Sequence, residues 1–139
     1  MGPDLNPAVL AEVRESLHKA AEDVRTAEVS YAPRPPLFDA AAFHCQQAAE
    51  KAIKGFLTFH ARVFEKTHSI EKIGAAALAV DPTLRAAIDR ATPLTEYAWK
   101  FRYPGTPGEP SAAEVGEAME AARELLLEII RRVPGTARP

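Results

Sequence analysis

Apolar residues recur along this chain at alternating steps of three and four, the spacing that lines one face of an α-helix. In the first such stretch Asn6 and Pro7 supply a cap and a first-turn proline, and Leu10, Val13, Leu17, Ala20, Val24, Ala27 and Tyr31 form one stripe. "APRPP" at 32–36 ends it, because prolines lack a backbone donor and restrict the residue before them. This segment reads as an extended connection. The second helix opens near Asp39 with Phe38 packing at its entrance, and Ala42, Cys45, Ala49, Ala52, Phe56, Phe59 and Val63 make its core face. Thr67 caps a shorter third helix that holds His68 in its first turn and buries Ile70, Ile73, Ala77 and Val80. Gly74 within it lets another backbone come close.

Asp81 and Pro82 start a fourth helix whose stripe is Leu84, Ile88, Ala91, Leu94, Ala98 and Phe101. Pro93 interrupts that run, so a kink or a restart capped by Thr92 is expected. "YPGTPGEP" at 103–110 supports neither helix nor strand. Ser111 and Glu114 form a capping box for the last helix, with Val115, Met119, Ala122, Leu126, Ile129 and Val133 on its apolar side before Pro134 and Gly135 stop it. No run alternates with strand period. The pattern predicts an all-α fold, five helices forming an up-and-down four-helix bundle with one short additional helix. The expectation is a single domain over 1–139, with its core at about 8–133 and a loose C-terminal tail. Connections this short favour antiparallel neighbours, and the long stripes also permit a helix-to-helix homodimer.

At 139 residues the chain suffices for one domain with a real core. Its 47% apolar content and 17 basic against 19 acidic residues describe a globular protein, neither disordered nor generally basic. A net charge of −2 excludes binding nucleic acid indiscriminately over the whole surface and leaves room for a local basic groove. The single Cys45 falls in an apolar helical pattern and reads as a core residue. No run reaches the length of a membrane span and no signal-peptide pattern opens the chain, so a cytoplasmic protein without membrane contact is expected.

Candidate chemistry gathers on the second helix. Gln46 and Glu50, four apart, share a stripe with Phe43, Ile53 and Leu57. They either orient a base, a sugar or a basic side chain in a cleft, or form a polar network pinning neighbouring helices, with Arg102 or Tyr97 as donor. A further face carries His44, Gln47, Lys51 and Lys54 and is solvent-exposed or ligand-facing. Lys51, Lys54, Lys100 and Arg102 are candidates for phosphate; Arg102 could grip it bidentately or anchor Glu50 instead. His68 either bonds across the turn between the second and third helices or meets a ligand there. Tyr97 and Tyr103 could stack on a base, whereas Trp99 better suits a helix or dimer interface. His44 and His60 lack partners at metal-site spacing, and no phosphate loop or nucleophile elbow is present, so neither metal nor cofactor is expected.

The succession "FHCQQAAEKAIKGFL" (43–57), "THSIEKI" (67–73) and "YAWKFRYPG" (97–105), with "AEDVRTAE" in the first helix, resembles the prokaryotic HEPN domain family. The likeness includes its subgroup related to the C-terminal domain of the eukaryotic chaperone sacsin, and it runs from roughly residue 8 to 133. The resemblance implies a five-helix domain around an up-and-down four-helix bundle, usually dimeric. It also implies a choice among nucleotide binding, RNA cleavage, and acting as the toxin partner of a small nucleotidyltransferase. The family's ribonuclease branch uses an arginine followed a few residues later by histidine, and this chain departs from it: Arg102 leads to Pro107, Gly108 and Glu109. Arg62 and His68 have the spacing but lie at the junction of the second and third helices. The combined expectation is a homodimer holding a nucleotide or nucleic-acid phosphate with Gln46, Glu50, Lys51, Lys54, His68 and Arg102, and stacking through Tyr97 and Tyr103. The alternatives are a non-enzymatic interaction module, partnered by a separately encoded nucleotidyltransferase, and a metal-independent ribonuclease using His68 for proton transfer and Arg102 for phosphate charge.

Overall fold

Asn6 caps the first helix with its side-chain oxygen, which accepts the Ala8 N–H at 2.8 Å, and Pro7 takes the first helical position. The computed structural model describes residue 3, residues 5–105 and residues 108–139. Five α-helices follow in order: α1 (Pro7–Tyr31), α2 (Phe38–Phe59), α3 (Ile70–Val80), α4 (Arg85–Ala91) and α5 (Ala112–Ile130). Single 3-10 segments at Pro82–Leu84, Thr92–Ala98 and Gly135–Ala137 complete the chain, and no strand occurs among the described residues. Two residues of the loop at 103–110, Thr106 and Pro107, lie outside the described set. Gly105 and Gly108 beside them adopt left-handed φ of 88° and 58°.

Helix α2 is the centre of the bundle. It packs against α1, α3, α5 and the 3-10 segment Thr92–Ala98, and 13 of its 22 residues are buried, which only a helix enclosed on most sides can be. The alanines at 41, 42, 48, 49 and 52, all at most 1% exposed, keep it thin enough for that enclosure. Tyr31 meets Phe38, Asp23 meets His44 and Lys51, and Ser16 meets Lys51, a ladder that runs α1 antiparallel to α2. Arg132 reaches Asp81 while Arg90 reaches Glu124, Glu120 and Glu117, so α5 runs antiparallel to the segment from 81 to 98.

The structure departs from the periodicity at four places, each for a local reason. Helix α2 stops at Phe59 because Ala61 turns left-handed (φ 55°), letting the Arg62 N–H reach Leu57 O and the Ala61 N–H reach Thr58 O. Val63 therefore leaves the stripe and is 98% exposed. Helix α3 begins two residues later than expected: Ser69 is the cap, accepting the Lys72 N–H, while Thr67 accepts the Ser69 N–H and His68 precedes the helix. Beyond Pro93 the chain continues as a 3-10 helix, and the Thr92 hydroxyl bonds back to Ile88 O instead of capping. The tail, expected to be loose, turns over Gly135–Ala137 against α1 and buries Ala137 completely. The Ser111–Glu114 capping box forms as its spacing dictates.

A Cβ on Gly74 would stand 2.7 Å from Ile88 Cγ2, whereas one on Gly116 of α5 would meet nothing within 4 Å. Gly74→Ala is therefore expected to lose about 1–3 kcal/mol, and Gly116→Ala to gain up to about 1 kcal/mol, both read from urea unfolding midpoints. Equal signs for the two substitutions would refute the close approach of α3 to α4.

Candidate functional site

Glu50 is only 7% exposed, and a carboxylate so placed needs donors. It has three: Gln46 Nε2 at 3.0 Å and His68 Nδ1 at 2.8 Å on Oε1, and Lys54 Nζ at 2.9 Å on Oε2. Gln46, fully buried, spends its second amide hydrogen on His68 O at 3.1 Å and accepts from Gln47 Nε2 at 2.7 Å. Burial pushes the Glu50 carboxyl up, but the hydrogen bonds from His68, Lys54 and Gln46 outweigh it and hold the group below the usual carboxylate range. An ionised carboxylate accepts only, so Nδ1 of His68 carries the proton and Nε2 is left outward on a side chain that is 68% exposed.

A second carboxylate lies on the other edge of the same helix. Asp23 of α1, 6% exposed, accepts from Lys51 Nζ at 2.6 Å and His44 Nδ1 at 2.8 Å. Lys51 thus belongs to this cluster and not to the one around Glu50. Arg102, exposed, lies with its guanidinium carbon 3.7 Å from the centre of the Phe43 ring, one turn of α2 before Gln46 and Gln47. Among the described residues no carboxylate pairs with it.

The structure therefore gathers Gln46, Glu50, Lys54 and His68 in one network, sets Arg102 farther along the same face, and takes Lys51 away to Asp23. Tyr97 is buried, its ring 6.0 Å from Phe101, while Tyr103 and Trp99 are exposed. Cys45 is fully buried, and that burial above all pushes its thiol up to about 12, which keeps it unreactive. Sequence reasoning missed Asp23 as a buried partner. The signal was its spacing: Ala20, Asp23 and Ala27 continue the stripe of α1, so a charge sits in a core register. Among the described residues no cluster of three or more His, Cys, Asp or Glu is arranged to hold a metal, and no helix is long and apolar enough to cross a membrane.

An all-α five-helix domain whose central helix carries a carboxylate, histidine and lysine cluster on either edge is the class these observations define. The HEPN domain model matches residues 13–133, and the chain belongs to the HEPN domain family. Comparison with curated proteins and with solved structures finds no match.

Because the folded carboxyl of Glu50 is held low, its ion contributes stability in full above the unfolded value of about 4.3. That contribution is lost as the pH falls through the folded value. Glu50→Gln is expected to be less stable by about 1.5–3 kcal/mol at neutral pH and to have a flatter stability profile as the pH is lowered from about 5 to about 3. Parallel profiles for the two proteins in chemical denaturation would show that Glu50 is not the group being titrated.

Proposed function

We propose that this HEPN domain binds the phosphate of a nucleotide or nucleic acid on the α2 face that runs from Arg102 to His68. The observation that carries the reading is the state of Arg102. Lys51 and Lys54 are each matched by a buried carboxylate, so their charge is spent inside the fold. Arg102 is exposed and its guanidinium lies against the face of Phe43, and among the described residues no carboxylate pairs with it, a setting that favours an incoming phosphate for its planar fork of donors. Gln46 and Glu50 then act behind the ligand, fixing the ring of His68 and the head of Lys54, and exposed Tyr103 supplies an aromatic surface next to Arg102.

The ribonuclease reading has support of its own in the Glu50–His68 pair. An imidazole fixed through Nδ1 by a buried carboxylate, with Nε2 toward solvent, is the arrangement of a proton-transfer group. Arg102 would stabilise the developing charge on the phosphate. No histidine follows Arg102 at the branch's spacing, and the Arg62–His68 pair that has it lies at the junction of α2 and α3, so binding without chemistry is the primary reading.

Titration calorimetry with ATP, GTP and a short single-stranded RNA decides the matter. Saturable binding is expected, weakened about tenfold or more in Arg102→Ala and little changed in Lys51→Ala. Binding indifferent to Arg102 would overturn the assignment. Cleavage of labelled RNA in the presence of a chelator, abolished in a folded His68→Ala protein, would establish chemistry beyond binding.

A further inference from the structure

Away from α2, a groove runs between the 3-10 segment Thr92–Ala98 and α5. Pro93, Leu94 and Tyr97 form one side, and Ala113, Ala118 and Ala121 the other. The alanines leave that side without bulk, and with Ala118, Ala121, Leu94 and Tyr97 each less than 9% exposed the apolar strip between the two sides is narrow and shallow. Such a channel alone says nothing about its occupant, but its rim does. Glu114 and Glu117 line it, and Glu120 and Glu124 continue the same edge of α5. Against these four carboxylates stands one cation, Arg90, so three negative charges remain uncompensated among these five residues.

Arg90 also records what this rim accepts. Its guanidinium takes Glu124 at 2.7 Å, Glu120 at 2.9 Å and Glu117 at 3.3 Å, while Glu117 and Glu120 stay 73% and 62% exposed and free to take further donors. The carboxylates are thus spaced along one edge for guanidinium or ammonium groups, beside an apolar channel.

We infer that this groove docks a basic amphipathic segment of a partner protein, with apolar side chains on the alanine floor and Lys or Arg along the glutamate rim. The surface is independent of the phosphate reading: it lies on α5 and the 3-10 segment, and it would repel the anions that Arg102 attracts.

The test uses the whole chain and three labelled peptides: an amphipathic peptide of leucine and lysine, one with serine replacing leucine, and one with glutamate replacing lysine. Fluorescence anisotropy should give saturable binding for the first alone, weakening as salt is raised. Amide shifts should concentrate at Leu94, Tyr97, Ala118 and Ala121. Glu117→Lys with Glu120→Lys should loosen binding about tenfold, since both side chains are exposed and the fold does not depend on them. Arg90→Gln should tighten it about threefold, because the internal guanidinium no longer competes for the rim. Equal binding of the serine peptide, shifts elsewhere on the protein, no response to either variant, or a groove already covered by self-association in sedimentation would each overturn the proposal.

Discussion

Burying the Glu50 carboxylate is the constraint on which the arrangement around α2 depends. A carboxylate moved into a bundle is unfavourable by several kcal/mol unless donors meet it. Two of its donors, Gln46 and Lys54, come from α2 itself, one turn away on either side. The third comes from His68, and Gln46 holds the backbone of the same residue, so the connection after α2 is drawn against the helix at two atoms. That fixes where α3 begins. The Ile70 N–H in turn reaches Thr95 Oγ1, tying the 3-10 segment to the same point. The chain leaving that segment carries Arg102 to Phe43. One buried charge thus organises three stretches of sequence that are distant along the chain.

The two edges of α2 use the same chemistry with different sources. On one, the carboxylate belongs to α2 and the histidine to a connection; on the other, the carboxylate belongs to α1 and the histidine to α2. Each edge also keeps one lysine at hydrogen-bond distance. These pairs hold helices in register, as buried polar contacts often do, and an apolar substitute would remove that selectivity along with the charge. They also make the lysines poor anion ligands. Arg102, on the same face, lies against the ring of Phe43, and among the described residues no carboxylate pairs with it.

Much of the fold was legible from periodicity and punctuation. Asn6-Pro7 and the Ser111–Glu114 pair act through local stereochemistry and appear where spacing put them, while Gly74 admits the Ile88 side chain where a neighbouring backbone was expected. The failures fall where the letters leave more than one local option open. Nothing in the letters marks Ala61 as left-handed, since that conformation is uncommon for alanine, so the stripe of α2 read on to Val63. Thr67 was read as the cap of α3, but the bond from Gln46 to the His68 carbonyl holds the chain so that Ser69 takes that place. The cluster around Glu50 was half legible. Gln46 and Glu50 stood out as polar residues on an apolar stripe, but spacing alone could not assign Lys54 to Glu50 and Lys51 to Asp23, because that depends on which neighbour covers which edge of the helix.

The connection between α2 and α3 is held at both ends. Ala61 and Arg62 close the helix before it, and the His68 carbonyl is fastened to Gln46 after it. Phe64 within it packs against the core, and the number of its residues is fixed as well. One residue added between Arg62 and Thr67 would slide that carbonyl by about 3.5 Å, more than the length of the hydrogen bond it accepts, and would strand the buried amide of Gln46. The register of α3 on α2 is thereby tied to a count of residues in this connection.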